Sequence, residues 1–204
     1  MIAKKIDCLI LAAGKGERLR PLTYKIPKPL IPINGKPIIR HIIDYLNKFG
    51  IYSITVNLHY FSTLIKDYLK DEVNYSFEPI LLGTAGAIKP IENKIKKRLL
   101  VVNADTISDV NLFDLFDSHK NSKCLVTIFT KDDAIHTGGM YLFEKPIFRY
   151  IPSHSIYSIS DQLIPLLIKE GVKINLFKPK DAFYYDCGTP AKLARARKFF
   201  RKNK

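Results

Sequence analysis

The chain has 204 residues, 47% of them hydrophobic and 25% charged, with a formal net charge of +14. That length suits one domain, and that balance excludes a largely disordered chain. No run approaches the roughly 20 apolar residues that span a bilayer, and the apolar stretch after Met1-Ile2-Ala3-Lys4-Lys5 is too short for a secretory signal, so a cytoplasmic protein with no membrane partner is expected.

Short apolar runs alternate with helical patterns, which predicts an α/β chain with a mostly parallel sheet. A first strand is expected over 7–11. A helix over 37–48 carries Ile38, Ile39, Ile42, Ile43 and Leu46 on one side and hands over to a strand at 53–56. A helix at 61–69 and a strand at 74–77 follow, then a glycine-bearing loop, a helix near 87–94 and an apolar strand at 98–102. The second half reads as helix 112–119, strands 124–129 and 140–143, helix 161–169, and strands 173–177 and 183–185. Thr189 and Pro190 suit the cap and first residue of a last helix, which leaves Asp186 in a short loop before it. That helix should pack Leu193, Ala196 and Phe200 inward while Lys192, Arg195, Lys198 and Lys202 face water. The remaining lysines are dispersed, so the basic charge favours acidic substrates and no nucleic-acid partner is expected.

Four strings carry chemistry. In Leu11-Ala12-Ala13-Gly14-Lys15-Gly16-Glu17-Arg18-Leu19, two glycines allow a tight turn that exposes N–H groups at a strand end, and Arg18 and Lys28 add positive charge. This is a triphosphate cradle, although neither a P-loop nor a dinucleotide fingerprint, since Leu19 occupies the third glycine position. Glu78-Pro79-Ile80-Leu81-Leu82-Gly83-Thr84-Ala85-Gly86 offers small residues against which a nucleotide could lie. Asp105 follows a strand, and in open α/β sheets that edge binds ligands. Asp186 stands in Tyr184-Tyr185-Asp186-Cys187-Gly188-Thr189-Pro190. The histidines show no metal spacing, and Cys8, Cys124 and Cys187 read as reduced thiols.

Taken together, these strings resemble the signature of the sugar-phosphate nucleotidyltransferases over nearly the whole chain, from Leu9 to about Arg197. The resemblance implies an α/β fold of the three-layer α/β/α, Rossmann-like kind with a mostly parallel, mixed sheet, forming a single nucleotidyltransferase domain over 1–204. It implies catalytic roles for Arg18, Lys28, Asp105 and Asp186, with Mg²⁺ held by Asp105 and Asp186. Nucleotide contacts are implied for Leu11, Ala12, Ala13, Gly14, Lys15, Gly16, Arg18, Lys28, Glu78, Gly83, Thr84 and Asp105, and substrate contacts for Gly139 and Asp161. The implied reaction joins a nucleoside triphosphate to a sugar 1-phosphate and releases pyrophosphate. A cytidylyltransferase acting on a phosphorylated alcohol such as phosphocholine is the nearest alternative, and a non-catalytic nucleotide- or nucleic-acid-binding protein is the rival class. Ala12-Ala13-Gly14 leans slightly towards a pyrimidine base, with guanine open, and the oligomeric state is left open as well. The family's Glu-Lys-Pro segment has no counterpart between the strands near 126–129 and 138–143. Glu144-Lys145-Pro146 comes too late in the chain, and Lys131 is the candidate substitute.

Overall fold

A computed structural model describes residues 6–130, 137–179 and 182–202, with the backbone alone at Thr137 and Lys202. Lys131, the candidate substitute lysine, lies outside the described residues. In chain order the strands are β1 (Ile6–Leu11), β2 (Pro32–Ile33), β3 (Lys36–Pro37), β4 (Ile54–Leu58), β5 (Asn74–Phe77), β6 (Arg98–Asn103), β7 (Thr106–Ser108), β8 (Val126–Thr130), β9 (Thr137–Glu144), β10 (Ile174–Phe177) and β11 (Tyr184–Asp186). The α-helices are α1 (Ile38–Lys48), α2 (Ser62–Leu69), α3 (Gly83–Gly86), α4 (Leu112–Ser122), α5 (Ile164–Lys169) and α6 (Pro190–Lys202).

Seven strands form the main sheet in the order β10-β8-β9-β6-β1-β4-β5. All neighbours run parallel except β9, which is antiparallel to both β6 and β8. The pleat sends alternate side chains to opposite faces, so Cys8 and Ile10 enter one core while Leu9 enters the other. The first core receives the apolar stripe of α1 with Ile65, Leu115 and Leu193 from later helices, and the second receives Ile88, Ile147, Leu163 and Leu167. The result is the three-layer α/β/α sandwich with a mostly parallel sheet. Asp7 pins the amino-terminal edge by accepting from Ser53 Oγ at 2.7 Å and the Lys96 N–H at 2.9 Å.

Several elements depart from the pattern reading. The expected helix near 87–94 is a one-turn α3 followed by a 3₁₀ turn over Lys89–Lys94, because Pro90 lacks the amide donor that a regular helix needs. The helix expected over 161–169 begins as a π turn at Ile159–Leu163 before α5. Pro165 removes the amide that would bond Asp161 and crowds its carbonyl, which favours the wider turn. Asp186 is the last residue of β11 rather than part of a loop, and β11 pairs with β7, a strand the pattern does not reveal. On α6, Leu193 and Ala196 are buried and Lys192, Arg195 and Lys198 exposed as expected, and Lys192 in addition bonds Asp186. The side chain of Lys202 lies outside the described residues. Glu144 pairs with Arg98 at the opposite edge of the sheet from Asp105, and Lys145 Nζ donates to the Ile95 carbonyl at 2.7 Å, so Glu144-Lys145-Pro146 is a structural lookalike. Among the described residues, no helix is long and apolar enough to cross a membrane.

Phe200 is half-buried, its ring 5.1 Å from His41 and 5.9 Å from Phe183, whereas Phe148 is 1% exposed in the second core. Urea unfolding should therefore show Phe148→Ala losing about 3–5 kcal/mol and Phe200→Ala clearly less, under about 3 kcal/mol. Equal losses would contradict the partial burial of the α6 ring.

Candidate active site

The crevice lies beyond the carboxyl ends of β1, β4 and β6, where the parallel strands point their last residues at a common space. Leu11, Ala13, Gly14, Glu78, Thr84 and Asp105 face a cavity of about 320 Å³, which Ala12, Lys28 and Gly83 also line. Lys15, Gly16 and Arg18 face a second opening of about 420 Å³ with Lys28 and Gly188. Lys28 belongs to both and stands at their junction. The chain reaches this arrangement because Gly16, at φ 65°, enters a 3₁₀ turn over Glu17–Leu19, and a Cβ there would come 2.9 Å from Thr23 Cγ2. A second such turn, Lys28–Leu30, holds Lys28.

One end of the cavity is a buried polar relay. Asn57, near the end of β4, accepts the Ala12 N–H at 2.6 Å and donates to Glu78 Oε1 at 2.5 Å. Glu78, 2% exposed, accepts the Leu82 N–H on its other oxygen at 3.0 Å, and its carbonyl accepts from His59 Nδ1 at 2.9 Å. Burying a carboxylate without such partners is costly, so Asn57 fixes both the strand end and the carboxylate. Sequence reasoning passed over Asn57, whose signal is a polar residue inside an apolar run. His59 braces this relay from behind.

The glycines of the Gly83-Thr84-Ala85-Gly86 string have a packing reason. Added Cβ atoms would come 2.8 Å from the Tyr157 carbonyl oxygen at Gly83 and 2.6 Å from that of Ser155 at Gly86, and Thr84 Oγ1 accepts the Ile159 N–H at 2.8 Å. The string therefore docks the segment leading into α5 while its Gly83 and Thr84 also face the cavity.

At the other end the two aspartates meet. The β7–β11 ladder pairs Asp186 with Thr106, and the Cys187 N–H donates to the Asp105 carbonyl at 2.7 Å. A Cβ on Gly188 would lie 2.8 Å from Asp186 Oδ1, 2.9 Å from an Arg18 guanidinium nitrogen and 3.3 Å from Asp105 Oδ2. Two carboxylates and a guanidinium thus surround one small gap that only glycine leaves open. Asp105 Oδ2 accepts from Lys28 Nζ at 2.7 Å, while Asp186 Oδ1 accepts the Gly188 N–H at 2.7 Å and its Oδ2 accepts from Lys192 Nζ. Partial burial works to raise the Asp186 carboxyl, but Lys192, the Gly188 amide and Arg18 together hold it below the usual carboxylate range. Burial, reinforced by Asp105 and Asp186, pushes the Cys187 thiol up to about 12, so it is no nucleophile near neutral pH.

Gly139 stands beside this centre, where a Cβ would come 2.7 Å from Thr106 Oγ1. Asp161 is exposed and bonded to Ser158 Oγ at 2.7 Å, within the turn that opens the α5 helix. Sequence reasoning assigned no site role to Lys192, expected only to face water, or to Gly188, read only as part of the Asp186 string. Sparse carboxylates suffice for magnesium, which takes one or two protein carboxylates with phosphate oxygens and water. Among the described residues, no group of three or more His, Cys, Asp or Glu side chains is placed to hold a metal ion.

A family model described as nucleotidyl transferase matches residues 7–138. A D-glycero-alpha-D-manno-heptose 1-phosphate guanylyltransferase from Campylobacter jejuni is 31% identical, the match covering 91% of this chain and 96% of that protein. A UTP–glucose-1-phosphate uridylyltransferase from Synechocystis is 29% identical over 82% of this chain, which spans 56% of that protein's length. The crystal structure of HddC from Yersinia pseudotuberculosis superposes with a TM-score of 0.80 at 25% identity, covering 95% of this chain and 99% of that one.

Removing the Asn57 side chain leaves the Ala12 N–H and Glu78 Oε1 without their partner in a buried place. Asn57→Ala is expected to lose at least about 1–3 kcal/mol in urea unfolding. A loss within about 0.5 kcal/mol, the usual range of a surface substitution, would show that the relay contributes little.

Proposed function

The chain belongs to the nucleotidyl transferase family, and we propose that it transfers GMP from GTP to a sugar 1-phosphate, giving a nucleotide-sugar and pyrophosphate. The observation that carries this reading is the gap at Gly188, where Asp105 and Asp186 meet Arg18 beside the Glu78-lined cavity. The names of the relatives support a sugar 1-phosphate as acceptor, and they include both guanylyl- and uridylyltransferases.

The base preference rests on Glu78. Each of its oxygens already accepts one protein donor, and each keeps a further lone pair for a ligand in the cavity it lines. Two acceptors side by side match the two parallel donors of guanine, N1–H and N2–H. Uracil offers one N–H between two carbonyl oxygens, and cytosine an amino group beside an acceptor, so either would set like dipoles together.

Asp105 and Asp186 would hold a magnesium ion, which when bound neutralises charge on the α-phosphate and the acceptor. The acceptor phosphate is already ionised near neutral pH and needs no general base. Its oxygen forms a bond to the α-phosphorus as the bond to the α,β-bridging oxygen breaks, and the electron pair leaves with pyrophosphate. Lys28 and Arg18 meet the charge that grows on that leaving group, and the cradle's backbone fixes the in-line geometry. We place the reaction in the cytoplasm, where nucleoside triphosphates are made; the buried, free Cys8, Cys124 and Cys187 fit a reducing compartment.

Pyrophosphate release should be screened with five nucleoside triphosphates against a panel of sugar 1-phosphates and phosphocholine. GTP with a sugar 1-phosphate is expected to turn over fastest. Turnover with CTP and phosphocholine alone would favour the other acceptor, and duplex binding without turnover would favour the binding-only rival. Asp105→Asn and Asp186→Asn should keep the fold and each lower kcat about a hundredfold or more. Glu78→Gln, which swaps one acceptor for a donor, should reduce the preference for GTP over UTP at least about tenfold in kcat/KM. An unchanged preference would remove Glu78 from base reading.

A further inference from the structure

Lys192 does nothing in the reaction as described, yet its ammonium is bonded to one of the two aspartates at its centre. It sits in the first turn of α6 and donates to Asp186 Oδ2, whereas Oδ1 faces the gap at Gly188 with Asp105 Oδ2 and Arg18. Asp105 is paired in the same way with Lys28. Each carboxylate therefore already carries a cation, and a divalent ion has to compete with both.

The two lysines differ in what they face. Lys28 is 19% exposed and lines both openings of the crevice, so an arriving triphosphate offers it a new partner. Lys192 is 48% exposed and faces a groove of about 800 Å³ on the outer side of Asp186, which lines it together with Phe183, Tyr185, Phe199, Arg195 and Lys198. Arg195 and Lys198 have no ion-pair partner among the described residues, so the groove's described lining is net positive around Lys192 even with Asp186 counted. Detaching Lys192 into solvent costs little, because a half-exposed pair of this kind is weak.

We propose that Lys192 is a tethered counterion for Asp186: it holds the carboxylate in place while the metal is absent and lowers the affinity of the substrate-free protein for a divalent cation. This rests on the reading above that Asp105 and Asp186 bind the metal. The consequence is a coupling. An ion arriving alone must displace Lys192 and bear its positive charge nearby, whereas an ion arriving with a triphosphate brings compensating negative charge. The free site is therefore weak for metal, and nucleotide and metal strengthen one another's binding reciprocally. Lys192 is a positioning residue, acting through Asp186.

The test is Mn²⁺ binding to the full, substrate-free chain by titration calorimetry, with free Mn²⁺ checked by electron paramagnetic resonance. Lys192→Met should tighten the dissociation constant by about threefold to tenfold, the scale of one released ion pair plus the loss of an adjacent positive charge. Lys192→Arg, which can keep the pair, should stay near wild type. Arg195→Gln makes the same change of charge in the same groove without touching Asp186, and should move the constant by less than about twofold at physiological salt. In an Asp186→Asn background, Lys192→Met should give no further tightening. Unchanged or weaker binding in Lys192→Met overturns the proposal, as does equal tightening in Arg195→Gln or in the Asp186→Asn background. Wild-type binding that depends on Asp186 but ignores Lys192 would sink this inference alone. Binding indifferent to Asp186 would sink the metal reading with it.

Discussion

The site depends on a short antiparallel ladder. β7 follows directly from Asp105 and β11 ends at Asp186, and their pairing, closed by the Cys187 N–H on the Asp105 carbonyl at 2.7 Å, makes two residues far apart in the chain into neighbours. Neither strand belongs to the seven-stranded sheet. The ladder brings the carboxyl-terminal segment back over the carboxyl ends of the parallel strands, and α6 then anchors it through Leu193 and Ala196 in the first core. Without that anchor, Asp105 would still face the crevice from β6, but nothing would bring a second carboxylate to it.

Charge is balanced at both ends of the crevice by different means. Glu78 is buried and held by neutral donors from Asn57 and Leu82, which satisfy one lone pair on each oxygen of a carboxylate that lines the cavity. Asp105 and Asp186 are more exposed and held by lysines, which are exchangeable partners. A rigid acceptor suits the recognition of a base whose donors are fixed. Exchangeable counterions suit a place where phosphate charge and a cation come and go. Arg18, without an ion-pair partner among the described residues, and exposed Lys15 extend the positive field outward along the second opening.

The legible parts of this molecule are those that one element carries by itself. The stripe Ile38, Ile39, Ile42, Ile43 and Leu46 specifies α1 through its spacing, and the apolar run at 98–102 marks a central strand, because burial on one or both faces leaves a local pattern. β11 was legible as a strand at 183–185, but the three-residue β7 is too short for any period to show, so their pairing emerges only in three dimensions. Pro90 and Pro165 altered the type of two predicted helical segments without abolishing them. The cradle and both aspartates were readable as motifs. Asn57 and Lys192 were not, since an asparagine in a strand and a lysine on a basic helix acquire meaning only from the carboxylate each one meets. Gly83 and Gly86 drew attention as small residues beside a nucleotide, while the tight contacts they make are with the Ser155–Tyr157 backbone.

The central claim is that Asp105 and Asp186 act as one cation site beside the nucleotide cavity. The most direct measurement is anomalous diffraction from a crystal of the full chain grown with Mn²⁺ and a non-hydrolysable GTP analogue. The account predicts a peak next to Gly188, touching a carboxylate oxygen of both aspartates and an oxygen of the α-phosphate, with the guanine against Glu78. A peak that touches only one aspartate, or a base bound away from Glu78, would contradict it.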